Sequence, residues 1–430
     1  MGAAHVRTGV DCSLYVLEGR TPEAVVFPGS VEEVAALVAL AGEEGIPVMP
    51  LGGGTNLGIG APPARLGLVL GLKRLARLLE HEPGDLTATA EAGLTVGALQ
   101  AELGKRGQWL SLDPPGAERA TLGGVLASNA SGPRRHLYGT ARDLLIGLTV
   151  VGADGAIVRG GGKVVKNVAG YDLPKLYIGS FGTLGIIVEA TVKLRPRPDV
   201  DRLVVARFHD VKEAGGAARA IMASDLVPAA LDLVAGEAVR LLGPGGEAGA
   251  ALLIGVDGIL DQVEWQCAEI GRLLAPLGLA ETRVLDGPPR DLAWRALGEI
   301  GRGGTEDVAA VMKWGVLPAQ LAEMLDKGAA IAQRNGLRAA LTAHAGVGIA
   351  TAVLAGDGAH GNAVVATLTE WRAMVGGAGG HALVEWAPLA VKERVAVWDD
   401  PGPAARIMNG IKARLDPRGI LNPGRFVGGI

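Results

Sequence analysis

Residues 50–58 read Pro-Leu-Gly-Gly-Gly-Thr-Asn-Leu-Gly, directly after the apolar run Ile-Pro-Val-Met. Three successive glycines strip the side chains from a turn. Its amides can then approach a ligand closely, and a cluster of N–H groups favours an anion, with phosphate the first candidate. The usual phosphate loops do not fit. A Walker A loop ends in Gly-Lys-Ser/Thr, and no lysine follows here before Lys73. The G-x-G-x-x-G fingerprint fails by one residue, because Gly52 and Gly54 are followed by Leu57 and the next glycine is Gly58. Gly60-Ala61-Pro62-Pro63 does not open a regular helix. The loop therefore reads as strand–turn–loop. A tight solvent turn is the competing reading in a chain with 67 glycines.

The elements around it form an α/β unit over roughly residues 20–110. Ser30-Val-Glu-Glu33 is a capping box, and Val31, Val34, Leu37, Val38 and Ala41 form the buried stripe of the helix it opens. Strands are expected at the IPVMPL run, near 66–70 and over 86–91, the last alternating as a half-buried strand. Thr95 caps a helix that buries Val96, Leu99 and Leu103. Two further glycine-rich stretches follow, DPPGAERATLGGVLASNASGPRRHLYG (113–139) and GSFGTLGIIVEATVKLRP (179–196). The second runs into a strand whose Ile186, Val188, Ala190, Val192 and Leu194 alternate with Glu189, Thr191 and Lys193. Pro196 and Pro198 end that unit.

Beyond residue 199 the texture changes. Strands near 202–208, 228–233, 251–256 and 282–285 alternate with helices 212–223 and 261–275. After a helical insert at 290–301 the same order returns, with strands at 308–316, 338–343, 348–354 and 381–386 and helices at 319–335 and 362–375. Two βαββαβ-like passes predict an α+β domain with one antiparallel sheet. A final helix over 404–415 presents Ile407, Met408, Ile411 and Leu415, and an extended tail follows. The expected domains are 1–198, 199–403 and 404–430.

A net charge of -4 with 20% charged residues gives no electrostatic footprint for nucleic acid. Two cysteines, Cys12 and Cys267, support neither a disulfide framework nor an iron–sulfur cluster, which fits a reducing, cytoplasmic compartment. The N-terminal residues lack the apolar core of a signal peptide, and no apolar span reaches the roughly 18 residues of a membrane helix.

PLGGGTNLG, DPPGAERATLGGVLASNASGP, GSFGTLGII and DPRGILNPGRF, in this order, resemble the FAD-linked oxidases of the vanillyl-alcohol oxidase (PCMH-type FAD-binding) superfamily. Within it, GGKVVKNVAGYDLPKLYIGSFGTLG (161–185) is most similar to the FAD-binding subunits of glycolate oxidase. The resemblance runs along nearly the whole chain and is weakest over 200–340. It implies a PCMH-type, two-subdomain FAD-binding domain, an α+β cap with an antiparallel sheet, and a C-terminal segment returning to the FAD domain. It places pyrophosphate contacts on Gly52, Gly53, Gly54, Thr55 and Asn56, flanked by Pro50, Leu51 and Leu57. Flavin and ribityl contacts would come from Ala120, Thr121, Gly123, Gly124, Asn129, Ser131 and Gly132, with Pro115, Gly116, Tyr138 and Gly139 beside them. Gly182, Gly185 and Ile187 would meet the adenine part, and Asn422 the isoalloxazine edge. Relatives with covalent flavin carry a histidine near the first glycine loop; Thr55 and Asn56 stand there, so the FAD is expected to be noncovalent.

Dehydrogenases of this superfamily that act on D-2-hydroxy acids carry His-x-Gly-Asp-Gly-Asn-x-His and a later Glu-His-Gly, supplying a divalent-metal site and a base. Here the first motif reads His344-Ala-Gly-Val-Gly-Ile-Ala-Thr351 and the second Gly380-His381-Ala382. Val347, Thr351 and Gly380 replace an acid, a histidine and a glutamate, so no metal is expected. His344 and His381 remain as catalytic candidates, His381 at the base position, where a structural or vestigial role is the leading alternative; His5, His81, His209 and His360 read as surface or capping residues. The resemblance implies oxidation of a small 2-hydroxy acid, glycolate or D-lactate, together with a larger FAD subunit and an iron–sulfur subunit, through which the chain could lie peripheral to a membrane. The alternatives are a stand-alone FAD-dependent 2-hydroxy-acid dehydrogenase and a non-catalytic flavin scaffold. Strands around Trp314 and Trp386 are the candidate partner surface, with cap core the competing reading.

Overall fold

The computed structural model describes residues 2–162, 171–243, 249–301, 308–356 and 361–430. The stretch Lys163–Gly170, which carries KNVAG, and His360 lie outside the described residues. The chain divides into two compact units: Met1–Ser131 with Gly139–Arg197 and Asp400–Ile430, and Gly132–Tyr138 with Pro198–Asp399.

In the first unit, strand Leu68–Gly71 is flanked by parallel strands Ala24–Val26 and Val48–Leu51, and Val6–Thr8 adds an antiparallel edge. Helix Val31–Glu44 starts where the capping box places it: the Ser30 hydroxyl accepts from the Glu33 amide, and Gly45 ends the helix in the left-handed region. A second, five-stranded antiparallel sheet runs in the order Leu78–Glu82, Thr87–Glu91, Ile186–Lys193, Leu145–Val151, Ile157–Gly161. Strand Thr87–Glu91 is buried on both faces rather than half-buried, because helices Val96–Gly104 and Leu122–Ser128 share its core. The final helix, Ala404–Leu415, buries no residue fully and leaves Ile407 exposed. The tail after it joins the first unit through the Asn422 amide, which donates to the Val48 carbonyl.

The second unit is one antiparallel sheet of eight strands: β1 (Val200–Phe208), β2 (Ala230–Gly236), β3 (Ala250–Gly258), β4 (Leu279–Leu285), β5 (Val308–Gly315), β6 (Arg338–His344), β7 (Ile349–Ala355) and β8 (His381–Trp386). Their order is β4-β1-β3-β2-β6-β7-β5-β8. The two passes expected from the sequence are therefore two four-stranded halves of equivalent order, joined antiparallel through their second strands. Helices Leu260–Leu274, Val211–Met222, Leu321–Arg334 and Gly361–Gly377 form a row on one face, each in contact with the next.

That helix layer corrects the expected partner surface. Trp314 is 0% exposed and packs edge-on against Trp371, with ring centroids 5.1 Å apart. Its ring also lies over Gly328, where an added Cβ would come within 2.4 Å of it. Trp314 is core, and Trp386 is half-buried.

Candidate functional site

The triglycine loop follows the end of strand Val48–Leu51 and lies against residues 119–124. A Cβ on Gly53 would stand 1.7 Å from the Arg119 carbonyl oxygen, and one on Gly52 would stand 2.2 Å from the Thr121 hydroxyl oxygen. These two glycines are thus demanded by the approach of one loop to another. Gly54 is required differently, by its φ of +73°. Asn56 is held by its side-chain amide, which donates to the Ser128 hydroxyl at 2.8 Å, and Ser128 donates onward to the Gly124 carbonyl.

These loops line one groove of the first unit. Its walls contain Pro50, Leu51, Gly52, Gly53, Gly54, Thr55, Asn56 and Leu57 from the first loop, and Thr121, Gly123 and Gly124 from the second. Gly182, Gly185, Ile187 and Asn422 complete the residues singled out by sequence. Gly182 and Gly185 are bare for packing: a Cβ would stand 2.4 Å from Pro50 and 2.4 Å from Val150, respectively. Asn422 has φ +44° and donates its side-chain amide to the Phe181 carbonyl at 2.7 Å.

Among the described residues of this unit, Ser111 Oγ, Asn129 Oδ1, Ser131 Oγ and Asn422 Oδ1 are buried without a hydrogen-bond partner, and of these residues Asn422 lines the groove. A buried polar atom left in this state is costly unless a ligand completes it. Backbone-lined loops, an apolar wall of Leu51, Leu72 and Ile186, and the unmatched polar atom of Asn422 fit a long cofactor with a charged centre and a flat ring.

The remaining expected contacts lie outside the groove lining. Gly116, at φ +65°, packs beside Thr55; Pro115 belongs to the same turn, and Ala120 is core. Gly139 turns against the Asp143 carboxylate. Gly132 and Tyr138 belong to the second unit, where the Tyr138 hydroxyl donates to Asp257 at 2.6 Å. Sequence reading missed Arg425. Its buried guanidinium donates to the carbonyls of Leu57, Ile59 and Ala61, clamping the loop that follows the glycines, and burial pushes its pKa down to about 10. A lone arginine in a turn-rich tail gives no sequence signal for that role.

In the second unit, pairing places Asp232, His344, Ile349, Gly315 and His381 in one row across β2, β6, β7, β5 and β8. Directly paired residues share a face, and this one lies opposite the four-helix layer. The Lys313–Glu385 ion pair belongs to the same half of the sheet. His344 Nδ1 is 2.8 Å from Asp232 Oδ1, and Asp232 is 4% exposed. His381 lies three strands away from His344, about 14 Å. Its side chain is 89% exposed, with Nδ1 3.5 Å from Asp399. His136, which sequence reading passed over, lies near both Asp232 and His344, and its ring rests on bare Gly346. Among the described residues no group of three His, Cys, Asp or Glu side chains could hold a metal ion.

A family model for an FAD binding domain matches residues 22–161, and one for the C-terminal domain of FAD linked oxidases matches residues 197–426. The chain belongs to the FAD-linked oxidases. FAD is its cofactor, and it is an FAD-linked oxidoreductase. A D-lactate dehydrogenase of Archaeoglobus fulgidus is 32% identical over 425 residues, covering 94% of this chain and 91% of that one. The glycolate oxidase subunit GlcD of Bacillus subtilis is 37% identical over 249 residues, 56% of this chain and 53% of that one. Among solved structures, p-cresol methylhydroxylase with substrate bound matches at TM-score 0.80 and 18% identity over 99% of this chain and 94% of that one, which shows the PCMH-type fold. No helix among the described residues is long and apolar enough to cross a membrane.

Proposed function

We propose that the protein oxidises a small 2-hydroxy acid, glycolate or D-lactate, to the 2-oxo acid as the FAD-binding subunit of a glycolate oxidase-like complex. The full-length similarity to a D-lactate dehydrogenase carries the substrate class, and the similarity to a GlcD subunit supports the complex. FAD would lie along the groove, with Gly52–Asn56 at the pyrophosphate and Asn422 at the isoalloxazine edge. When bound, it supplies the two-electron acceptor. Of the two catalytic candidates that the sequence offers, His344 or His381 would take the hydroxyl proton. With two cysteines in the whole chain, electrons would leave through an iron–sulfur partner subunit.

Co-expression with candidate partner subunits tests the complex. A stable assembly whose acceptor turnover with glycolate or D-lactate far exceeds that of the lone chain supports the reading. Steady turnover by the lone chain at a typical enzyme rate, on the order of 10 per second, favours a stand-alone dehydrogenase instead.

A further inference from the structure

The two edges of the eight-stranded sheet are finished differently. At β8 the chain closes its own edge: the Val384 amide donates to the Val397 carbonyl and the Ala382 amide to the Asp399 carboxylate. At the other edge, β4 pairs with β1 on one side, and among the described residues no group bonds to its outer backbone. Ala280, Thr282, Arg283 and Val284 are exposed. A row of open N–H and C=O groups is a template for another strand. We propose that this strand is β4 of a second copy of the chain, running antiparallel about a two-fold axis through Thr282, so that two chains share one continuous sheet.

Charge selects the occupant and the register. Glu281 and Arg283 stand two residues apart and therefore on one face of β4. With Thr282 opposite itself, each Glu281 faces an Arg283 of the other copy, and the two-fold axis makes two such ion pairs. Centring the pairing on Glu281 or Arg283 sets like charges against each other, and a one-residue slip leaves each charge opposite an uncharged residue. Both groups are available. Glu281, held 3.7 Å from Arg207 Nε, keeps 41% of its side chain exposed, and Arg283 has no hydrogen bond or ion pair among the described residues. Edges are commonly guarded by lysine, proline or a bulge; β4 has no lysine or proline. Its one irregularity falls at Ala280, which leaves Glu281–Leu285 regular for the new ladder. Val284 and, on helix Leu260–Leu274 beside β4, Trp265 are each 51% exposed and add apolar surface at this edge.

Sedimentation and cross-linking of the FAD-loaded protein test this pairing. Wild type should sediment at twice the 43.8 kDa mass of one chain. Arg283→Glu and Glu281→Arg, each of which sets like charges across both pairs, should weaken the dimer by about 10–100-fold. An equal mixture of those two variants restores opposite charges at every pair and should recover a dimer. Thr282→Cys, opposite itself across the axis, should form a disulfide between chains on mild oxidation, whereas Val284→Cys and the wild type, with Cys12 and Cys267, should not. Wild-type flavin content and Tm in each variant show that the fold is intact. A monomeric wild type overturns the proposal, including one that assembles only with a different subunit. A dimer that both charge reversals leave unchanged, or a mixture that stays monomeric, overturns it as well. Should the charge variants fail to fold, the cysteine pair decides: cross-linking at Val284→Cys and none at Thr282→Cys refutes this register.

Discussion

The glycines of the first loop combine two demands that sequence alone cannot separate. Gly53 is bare because the Arg119 backbone lies where its Cβ would be, whereas Gly54 is bare because of its φ. Gly53→Ala should therefore displace the 119–124 loop, lose about 1–3 kcal/mol of stability and abolish FAD retention. Lys73→Ala should keep full flavin, because its ammonium sits over the Phe27 ring and outside the groove. Flavin content of the two purified variants is the measurement; full loading of the glycine variant would contradict this account. The turn at Gly54 was legible because its cause, a positive φ, is local. Arg425 and His136 were not, because their roles depend on carbonyls and a glycine hundreds of residues away in sequence. At this same scale, the replaced motif positions predict that chelators leave any activity unchanged. Loss of activity on dialysis against a chelator, restored by zinc or manganese, would refute that.

At the scale of elements, strands and helices were largely readable because capping and alternation are local signals. Thr95 does accept from the Ala98 amide, and Ser30 from that of Glu33. Position in a layer was less readable: Trp314 sits in a predicted strand, yet only the four-helix row decides which side of that strand is closed. Gly328→Ala would press a Cβ into the Trp314 ring and should lower stability by about 1–3 kcal/mol, seen as a reduced Tm. The C-terminal helix is tied down by one buried cation. Lys412 Nζ donates to the carbonyls of Thr183 and Leu421 and to Asp416, whose side chain is wholly buried. Lys412→Met leaves that carboxylate without its cation, a loss of about 3–5 kcal/mol. It should also loosen Asn422 and weaken FAD binding. Titrating FAD into the apo variant checks this, and wild-type affinity would show that the tail does not support the groove.

At the scale of the molecule, the α+β architecture followed from the order of elements, and the doubled four-stranded half was visible as two passes of the same order. That the halves join through their second strands, and so bring Asp232 opposite His344, is a property of register and carries no residue-level repeat. The whole assembly of loops predicts that FAD is retained through purification and released completely by acid or heat, since no histidine or cysteine lines the described groove. Flavin left on the denatured polypeptide would contradict noncovalent binding. The central claim, oxidation of a 2-hydroxy acid at FAD, is tested most directly by anaerobic mixing of the purified protein with glycolate or D-lactate while the flavin absorbance is followed. The account predicts bleaching of the oxidised flavin by at least one of the two acids, with formation of the matching 2-oxo acid in equal amount. A flavin that stays oxidised in the presence of both would contradict it.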